Sequence, residues 1–159
     1  MQEPLPLTTF QFDVVIRVLA PSEWRIEMGF SEADGLEMSL EYETVYEGGR
    51  NHQPLLLPKQ VSYGKLTLRR GMTEHRHLWR WFEECQASSF GQKRYLRAEA
   101  EVTVKSGPAG KERGTRFLLS NCVPVRVKAP ALNALTGGVA IEELVLGYET
   151  LQRLTWPDD

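Results

Sequence analysis

The chain has 159 residues, 42% hydrophobic and 25% charged side chains, and a net charge of −2. That balance is ordinary for a globular protein. It excludes disordered, collagen-like and low-complexity chains and argues against a general nucleic-acid binder. One domain is expected at this length, with a core over about residues 10–152; no apolar run approaches the roughly 20 residues of a membrane span, and no basic-then-apolar leader opens the chain.

The dominant hydrophobic period is two, which marks half-buried antiparallel strands. Along the chain, Phe12, Val14, Ile16 and Val18 share one face, opposite Gln11, Asp13 and Arg17. Residues 19–23 read as a turn. Leu36, Met38, Leu40 and Tyr42 alternate with Glu37, Ser39, Glu41 and Glu43. Residues 47–59 form a long loop that carries Leu55, Leu56 and Leu57 between Pro54 and Pro58. Three exposed leucines make an adhesive patch, so this loop either folds back on its own subunit or docks on another copy. Val61–Arg70 is expected to be one strand with Leu66 and Leu68 inward. A helix is expected over Thr73–Cys85, with Thr73 as its cap and Leu78, Phe82 and Cys85 on one stripe. Leu96–Val104, Phe117–Val127 and Val139–Leu151 complete the strands, with a hairpin tip over 106–114. Six or more such strands predict a mainly β fold, a closed or nearly closed barrel or sandwich with one flanking helix.

Charge is unevenly placed. Residues 1–50 hold three basic and ten acidic side chains; residues 51–98 hold nine basic and three acidic. Either the strands neutralise one another within one sheet, or an acidic face of one copy meets a basic face of the next, a head-to-tail contact that closes into a ring when the rotation closes. The second reading makes Glu37, Glu41 and Glu43, with Arg69 and Arg70, contacts between neighbours in a ring.

Motifs of catalysis are absent from the sequence. His75 and His77 are two apart, so they do not share a helix face, and no paired Cys completes a zinc set. Gly48-Gly49 lacks the Lys-Ser/Thr of a phosphate loop and reads as a turn. Two cysteines, Cys85 and Cys122, permit at most one disulfide and fit a reducing compartment. No catalytic residue, cofactor or metal is expected.

The order of the motifs is informative. Gly29-Phe30-Ser31-Glu32 and Asp34-Gly35-Leu36-Glu37 lead into an acidic strand that ends in Tyr46-Glu47-Gly48-Gly49-Arg50-Asn51. Leu57-Pro58, Tyr63-Gly64-Lys65-Leu66-Thr67-Leu68-Arg69-Arg70-Gly71 and Leu78-Trp79-Arg80-Trp81 follow. Asn121-Cys122-Val123-Pro124 and Ala140-Ile141-Glu142-Glu143-Leu144-Val145-Leu146-Gly147-Tyr148-Glu149 close the set. This series, over about residues 10–152, resembles the tail tube protein family of contractile-tailed phages and phage-tail-like contractile injection systems.

The resemblance implies two packed antiparallel sheets forming a β-barrel with one flanking helix, related to the hemolysin-coregulated protein of type VI secretion. It implies homohexameric rings stacked into an inner tube with a central channel, driven through a target envelope when a surrounding sheath contracts. The implied partners are other copies, a sheath protein, a baseplate hub or spike protein, and a tape-measure protein or lumenal cargo, with no membrane anchor and no sequence-specific nucleic acid. The particle would be a phage tail or tail-like device assembled in the bacterial cytoplasm and released or fired outside. The loop after the acidic strand, Glu47, Gly48, Gly49, Arg50, Asn51, Leu55, Leu56, Leu57 and Lys59, would reach the neighbouring ring. Lys59 stands where the family often has Gly, and Asp34 where it often has Ser; these departures admit an initiator or end ring that joins the tube to the spike hub. Two rivals come from other classes. One is a monomeric barrel binding a small apolar ligand; the other is a hydrolase using Ser88 or His77 at a barrel rim.

Overall fold

The computed structural model describes residues 11–19, 23–46, 48–49, 53–89, 96–106, 112–135 and 137–155. Among the described residues ten strands and one helix follow one another as β1 (Phe12–Val18), β2 (Trp24–Met28), β3 (Glu32–Asp34), β4 (Met38–Val45), β5 (Leu55–Tyr63), β6 (Lys65–Gly71), α1 (His77–Ser89), β7 (Ala98–Ser106), β8 (Glu112–Lys128), β9 (Ile141–Gly147) and β10 (Thr150–Thr155). All pairings are antiparallel. The main sheet runs β2-β1-β7-β8-β9-β6-β3, with β10 also on β8, and β4-β5 form a separate two-stranded sheet.

Strand β8 is the spine. Its first half pairs with β7 on one side and β10 on the other, and its second half pairs with β9. The strand turns between the halves, where Asn121 has a φ of 52°, a left-handed conformation that Asn tolerates better than most residues. Polar contacts fix the corner: Asn121 Nδ2 donates to Glu149 Oε2 at 2.9 Å, and Arg97 Nη1 lies 3.0 Å from Glu149 Oε1. Turning on this corner, the strand divides the β structure into two sheets that share one core.

Both sheets send alternate residues into that core, as period-two strands must. Val14, Ile16 and Val18 come from β1, Ala98, Ala100 and Val102 from β7, Leu66 and Leu68 from β6, and Leu144 and Leu146 from β9. Helix α1 joins them through Leu78 and Trp81. An ion pair is buried within the subunit: Arg70 Nε donates to Glu142 Oε1, Arg70 Nη1 meets Met28 Sδ, and Arg70 Nη2 reaches the His75 carbonyl at 3.4 Å. The neighbour-contact role expected for Arg70 therefore gives way to an internal one, because its guanidinium is enclosed and bonded to its own chain.

Several boundaries differ from the sequence reading. The helix starts at His77 and not at Thr73. Thr73 Oγ1 accepts from the His75 amide at 3.4 Å, and the His75 carbonyl is taken by Arg70, so the chain stays non-helical up to the Arg76 carbonyl that accepts from Arg80 N. Val139–Leu151 divides into β9 and β10, because the Glu149 amide bonds to Ser120 O at 3.1 Å and re-aims the chain. Val61–Arg70 divides at Gly64. Trp24–Met28, which alternates Trp24, Ile26 and Met28 with Arg25 and Glu27, forms a strand where none was expected.

Candidate assembly surfaces

The acidic strand and the leucine segment fold together. β4 and β5 form a hairpin arm whose cross-strand partners are Met38 with Tyr63, Leu40 with Val61, Tyr42 with Pro58 and Thr44 with Leu56, with a bulge between Leu40 and Tyr42. Directly opposed residues share a face, so one face of the arm is an apolar row. That row is uncovered: Met38 is 57% exposed, Leu40 53% and Tyr42 63%. The other face is mixed. Ser39 and Ser62 share a hydrogen bond of 2.9 Å, and Lys59 Nζ lies 2.9 Å from Glu43 Oε2.

The three leucines expected in a loop thus begin strand β5, and strand geometry splits them. Leu56 joins the apolar row, while Leu55 and Leu57 point to the opposite face. Gly48 and Gly49 form the turn, Gly49 with a φ of 107°. Glu47, Arg50 and Asn51 lie outside the described residues.

The arm is fastened at its base. Tyr148 Oη lies 2.8 Å from Gly35 O and accepts from the Glu37 amide at 3.1 Å, and the Gly64 amide donates to Glu37 O at 3.1 Å. Burial pushes the Tyr148 hydroxyl above its ordinary pKa, which keeps it a donor. Gly35 has a φ of 98°, and a Cβ there would sit 2.0 Å from the Lys65 carbonyl oxygen, so only glycine fits this approach. Replacing Tyr148 with Phe strands the Glu37 amide and should lower stability by about 1 kcal/mol. Amide exchange should show the loss concentrated at residues 35–37 and 64; uniform loss would contradict a local clasp.

Charges across the outer face of the second sheet form a ladder set by strand register. Arg69 Nε donates to Glu143 Oε2 at 2.9 Å, Arg69 Nη1 to Glu32 Oε2 at 2.9 Å, and Arg126 Nη2 to Glu143 Oε1. Arg69 therefore answers acidic residues of its own subunit. Its hydrogen bond, with that of Arg126, holds the Glu143 carboxyl below the ordinary value of 4.5. A lowered carboxyl contributes stability above its unfolded pKa and loses it as pH falls through its folded one. Glu143→Gln should therefore be less stable than wild type at neutral pH, with the gap narrowing in urea melts as pH falls below the ordinary carboxyl value of 4.5.

The outward face of β2-β1-β7-β8-β10 is also charged on both signs. Lys105 Nζ lies 2.8 Å from Asp13 Oδ2, Arg17 Nη2 lies 3.9 Å from Glu101 Oε2, and Arg25 pairs with Glu27. A hollow of about 440 Å³ opens on this face beside Arg17, Glu99, Glu101 and Gln152.

Glu37 and Glu41 are exposed, and Glu41 forms no ion pair among the described residues. His75 and His77 stack with ring centroids 5.7 Å apart, and His77 lies 6.1 Å from Trp24. Cys85 and Cys122 form no disulfide, and burial pushes their thiols up to about 11 and about 12. No group of three or more His, Cys, Asp or Glu that could hold a metal occurs among the described residues, and no helix there is long and apolar enough to cross a membrane. Sequence reading missed the segment 129–141. It carries no charge from Ala129 to Ile141 and exposes Leu132, Leu135 and Val139; the signal was a run of uncharged residues without period, which resembles a plain connection.

No curated protein matches the chain significantly. Solved structures do resemble it. A chain of the anti-feeding prophage baseplate, in a 6-fold symmetrised cryo-EM structure, is 24% identical, with 98% of this chain and 99% of that one covered and a TM-score of 0.83. A chain of an extracellular contractile injection system, the PVC sheath–tube complex in the extended state, is 19% identical, covering 94% and 92%, with a TM-score of 0.73. Hcp1 from Salmonella typhimurium is 11% identical, covering 91% and 86%, with a TM-score of 0.51. These likenesses establish the fold. Residues 8–152 match the T4-like virus tail tube protein gp19 family, which takes in the arm, both sheets and the helix, and the chain belongs to that family.

Proposed function

We propose that this chain is the structural subunit of the inner tube of a contractile injection device or phage tail, and that it acts by assembly with its own copies and without catalysis. The carrying observation is the uncovered apolar face of the β4-β5 arm in a chain of the tail tube family. An apolar row of this kind is costly in water and marks a contact surface. Six copies would close a ring, and rings would stack through the arm; the symmetry named for the baseplate neighbour supports that number. The charged outward face of β2-β1-β7-β8-β10 would line the channel. Its paired charges leave little net field to hold a passing cargo. Sheath and hub proteins are the partners such a tube requires. The particle to which the anti-feeding prophage and PVC neighbours belong supports a tail-like device.

The bulk tube is preferred to an initiator or end ring because the apolar row of the arm is complete, as repeated stacking needs. A monomeric ligand-binding barrel is disfavoured by the position of the hollow, on an outward sheet face and not between the sheets.

Changing Leu40, Tyr42 and Leu56 together to Ser tests the arm. These side chains are exposed, so the circular dichroism spectrum and urea midpoint should stay within about 0.5 kcal/mol of wild type. Stacks seen by electron microscopy should shorten to single rings. Tubes of undiminished length would remove the arm from the contact.

A further inference from the structure

The arm is a cantilever. β4 and β5 pack on each other, and among the described residues no other strand, nor the helix, packs on them to a comparable extent. Leu36 and Tyr63, at the root, pack on the core, while the side chains beyond them are nearly all exposed. A strand rises about 3.3 Å per residue, so the eight residues of β4 carry the tip roughly 26 Å from the root. A tilt of about 10° at the root would move the tip by roughly 4.5 Å, close to the whole spacing of about 4.8 Å between paired strands. A surface that must meet its match cannot tolerate that slack, so the direction of the arm has to be set at its root.

One side chain from the turn between β9 and β10 holds that root. Tyr148 Oη donates to Gly35 O at 2.8 Å and accepts from the Glu37 amide at 3.1 Å, where the chain enters the arm. Its ring lies 5.9 Å from that of Tyr63, where the chain leaves. The Gly64 amide, donating to Glu37 O at 3.1 Å, ties exit to entry. Tyr148 is itself fixed. It is 7% exposed, and the next residue, Glu149, is bonded through its amide to Ser120 O and through its carboxylate to Asn121 Nδ2 and Arg97. The arm is thus aimed from the corner of β8, the stiffest reference that the two sheets share.

We infer that Tyr148 is the positioning residue of the arm: its hydroxyl fixes the direction in which β4-β5 projects before any second copy is met. This rests on the tube reading and adds what presets the arm for it. Preorganisation of this kind lowers the ordering cost of association without adding a contact. The hydroxyl bonds only to backbone atoms at residues 35 and 37, so removing it leaves the apolar row intact.

Spin labels test the aim. Full-length chains carry them at Thr44→Cys, toward the tip of the arm, and at Lys128→Cys on the body, both exposed positions; the half-buried Cys85 is replaced by Ser, and Cys122 is 0% exposed. Electron–electron double resonance on dilute subunits should give one narrow distance distribution, and adding Tyr148→Phe should broaden it by about 4–5 Å, the tip displacement of a loosened root. Without labels, Tyr148→Phe should raise the protein concentration needed for tubes by about fivefold, because subunits with a misdirected arm are lost to assembly. Val102→Ala is the control: it opens a cavity in the core at β7 and leaves the root untouched. It should change neither reading, and a rise as large as that of Tyr148→Phe would reduce the effect to lost stability and overturn the positioning role. An undisturbed distance distribution in Tyr148→Phe, or tubes at the wild-type concentration, would overturn it as well. Wild type that forms no rings or tubes would overturn the tube reading, while the label distances still decide whether Tyr148 aims the arm.

Discussion

Replacing Glu142 with Ala is expected to lower the stability of the subunit by about 3–5 kcal/mol, the cost of leaving a buried charge without its partner. Arg70 and Glu142 are 4% and 2% exposed. With the carboxylate gone, the guanidinium keeps only the Met28 sulfur and the His75 carbonyl, neither of which carries a compensating charge. Small domains have about 5–15 kcal/mol in total, so the variant would be partly unfolded under mild denaturant. The double change Arg70→Met with Glu142→Leu is the control. It removes both charges and keeps the volume, so it should be less destabilising than either single change. Urea midpoints of the three variants read the difference directly. A double variant as unstable as the sum of the singles would mean that the pair does not act as a unit.

Trp81→Ala is expected to cost about 3–5 kcal/mol, as large-to-small changes at fully buried aromatic positions do. Trp81 is 0% exposed and belongs to the cluster that joins α1 to both sheets. Its Nε1 is buried without a hydrogen-bond partner, so Trp81→Phe removes an unsatisfied donor along with some volume and should cost much less. Thermal melts followed at the helix signal separate the two variants. If Phe and Ala were equally damaging, only the full indole would fill the site, and the expectation that a single ring holds most of the packing would fail. The helix is the cover of the core at this side, so its loss would also expose Leu78 and disturb the subunit before any assembly.

The sequence made much of this legible, and its gaps have physical reasons. β1 and β7 were visible because each alternates core-facing residues with outward ones that are mostly charged, and the core supplied the meaning of the alternation. The alternation of Met38, Leu40 and Tyr42 was equally clear, yet period two says only that an apolar face exists, not which molecule covers it. Here nothing in the subunit does. Leu55–Leu57 read as a loop because consecutive apolar residues between prolines have no period; pairing with Val45, Thr44 and Glu43 makes them a strand. The corner at Asn121 and the break between Gly147 and Thr150 depend on contacts such as Asn121 with Glu149, 28 residues apart in sequence and beyond any local pattern. Arg70 next to Arg69 looked like one basic patch. The strand sends them to opposite faces, one to the core and one to the outer ladder.

The charge asymmetry had two readings, and the subunit uses part of it internally. Glu32 and Glu143 answer Arg69, Glu43 answers Lys59, and Asp13 answers Lys105. Among the described residues, apolar side chains stay exposed at Met38, Leu40 and Tyr42 of the arm and at Leu132, Leu135 and Val139. In the tube we propose, adhesion between copies would come mainly from apolar burial.

Negative-stain electron microscopy of the full-length wild-type chain across a range of concentrations tests the central claim most directly. Annular particles of about six times the 18.1 kDa chain mass, each with an open centre and joining face to face into hollow rods as concentration rises, are the expected result. Folded protein that stays as single 18.1 kDa subunits at every concentration would contradict it.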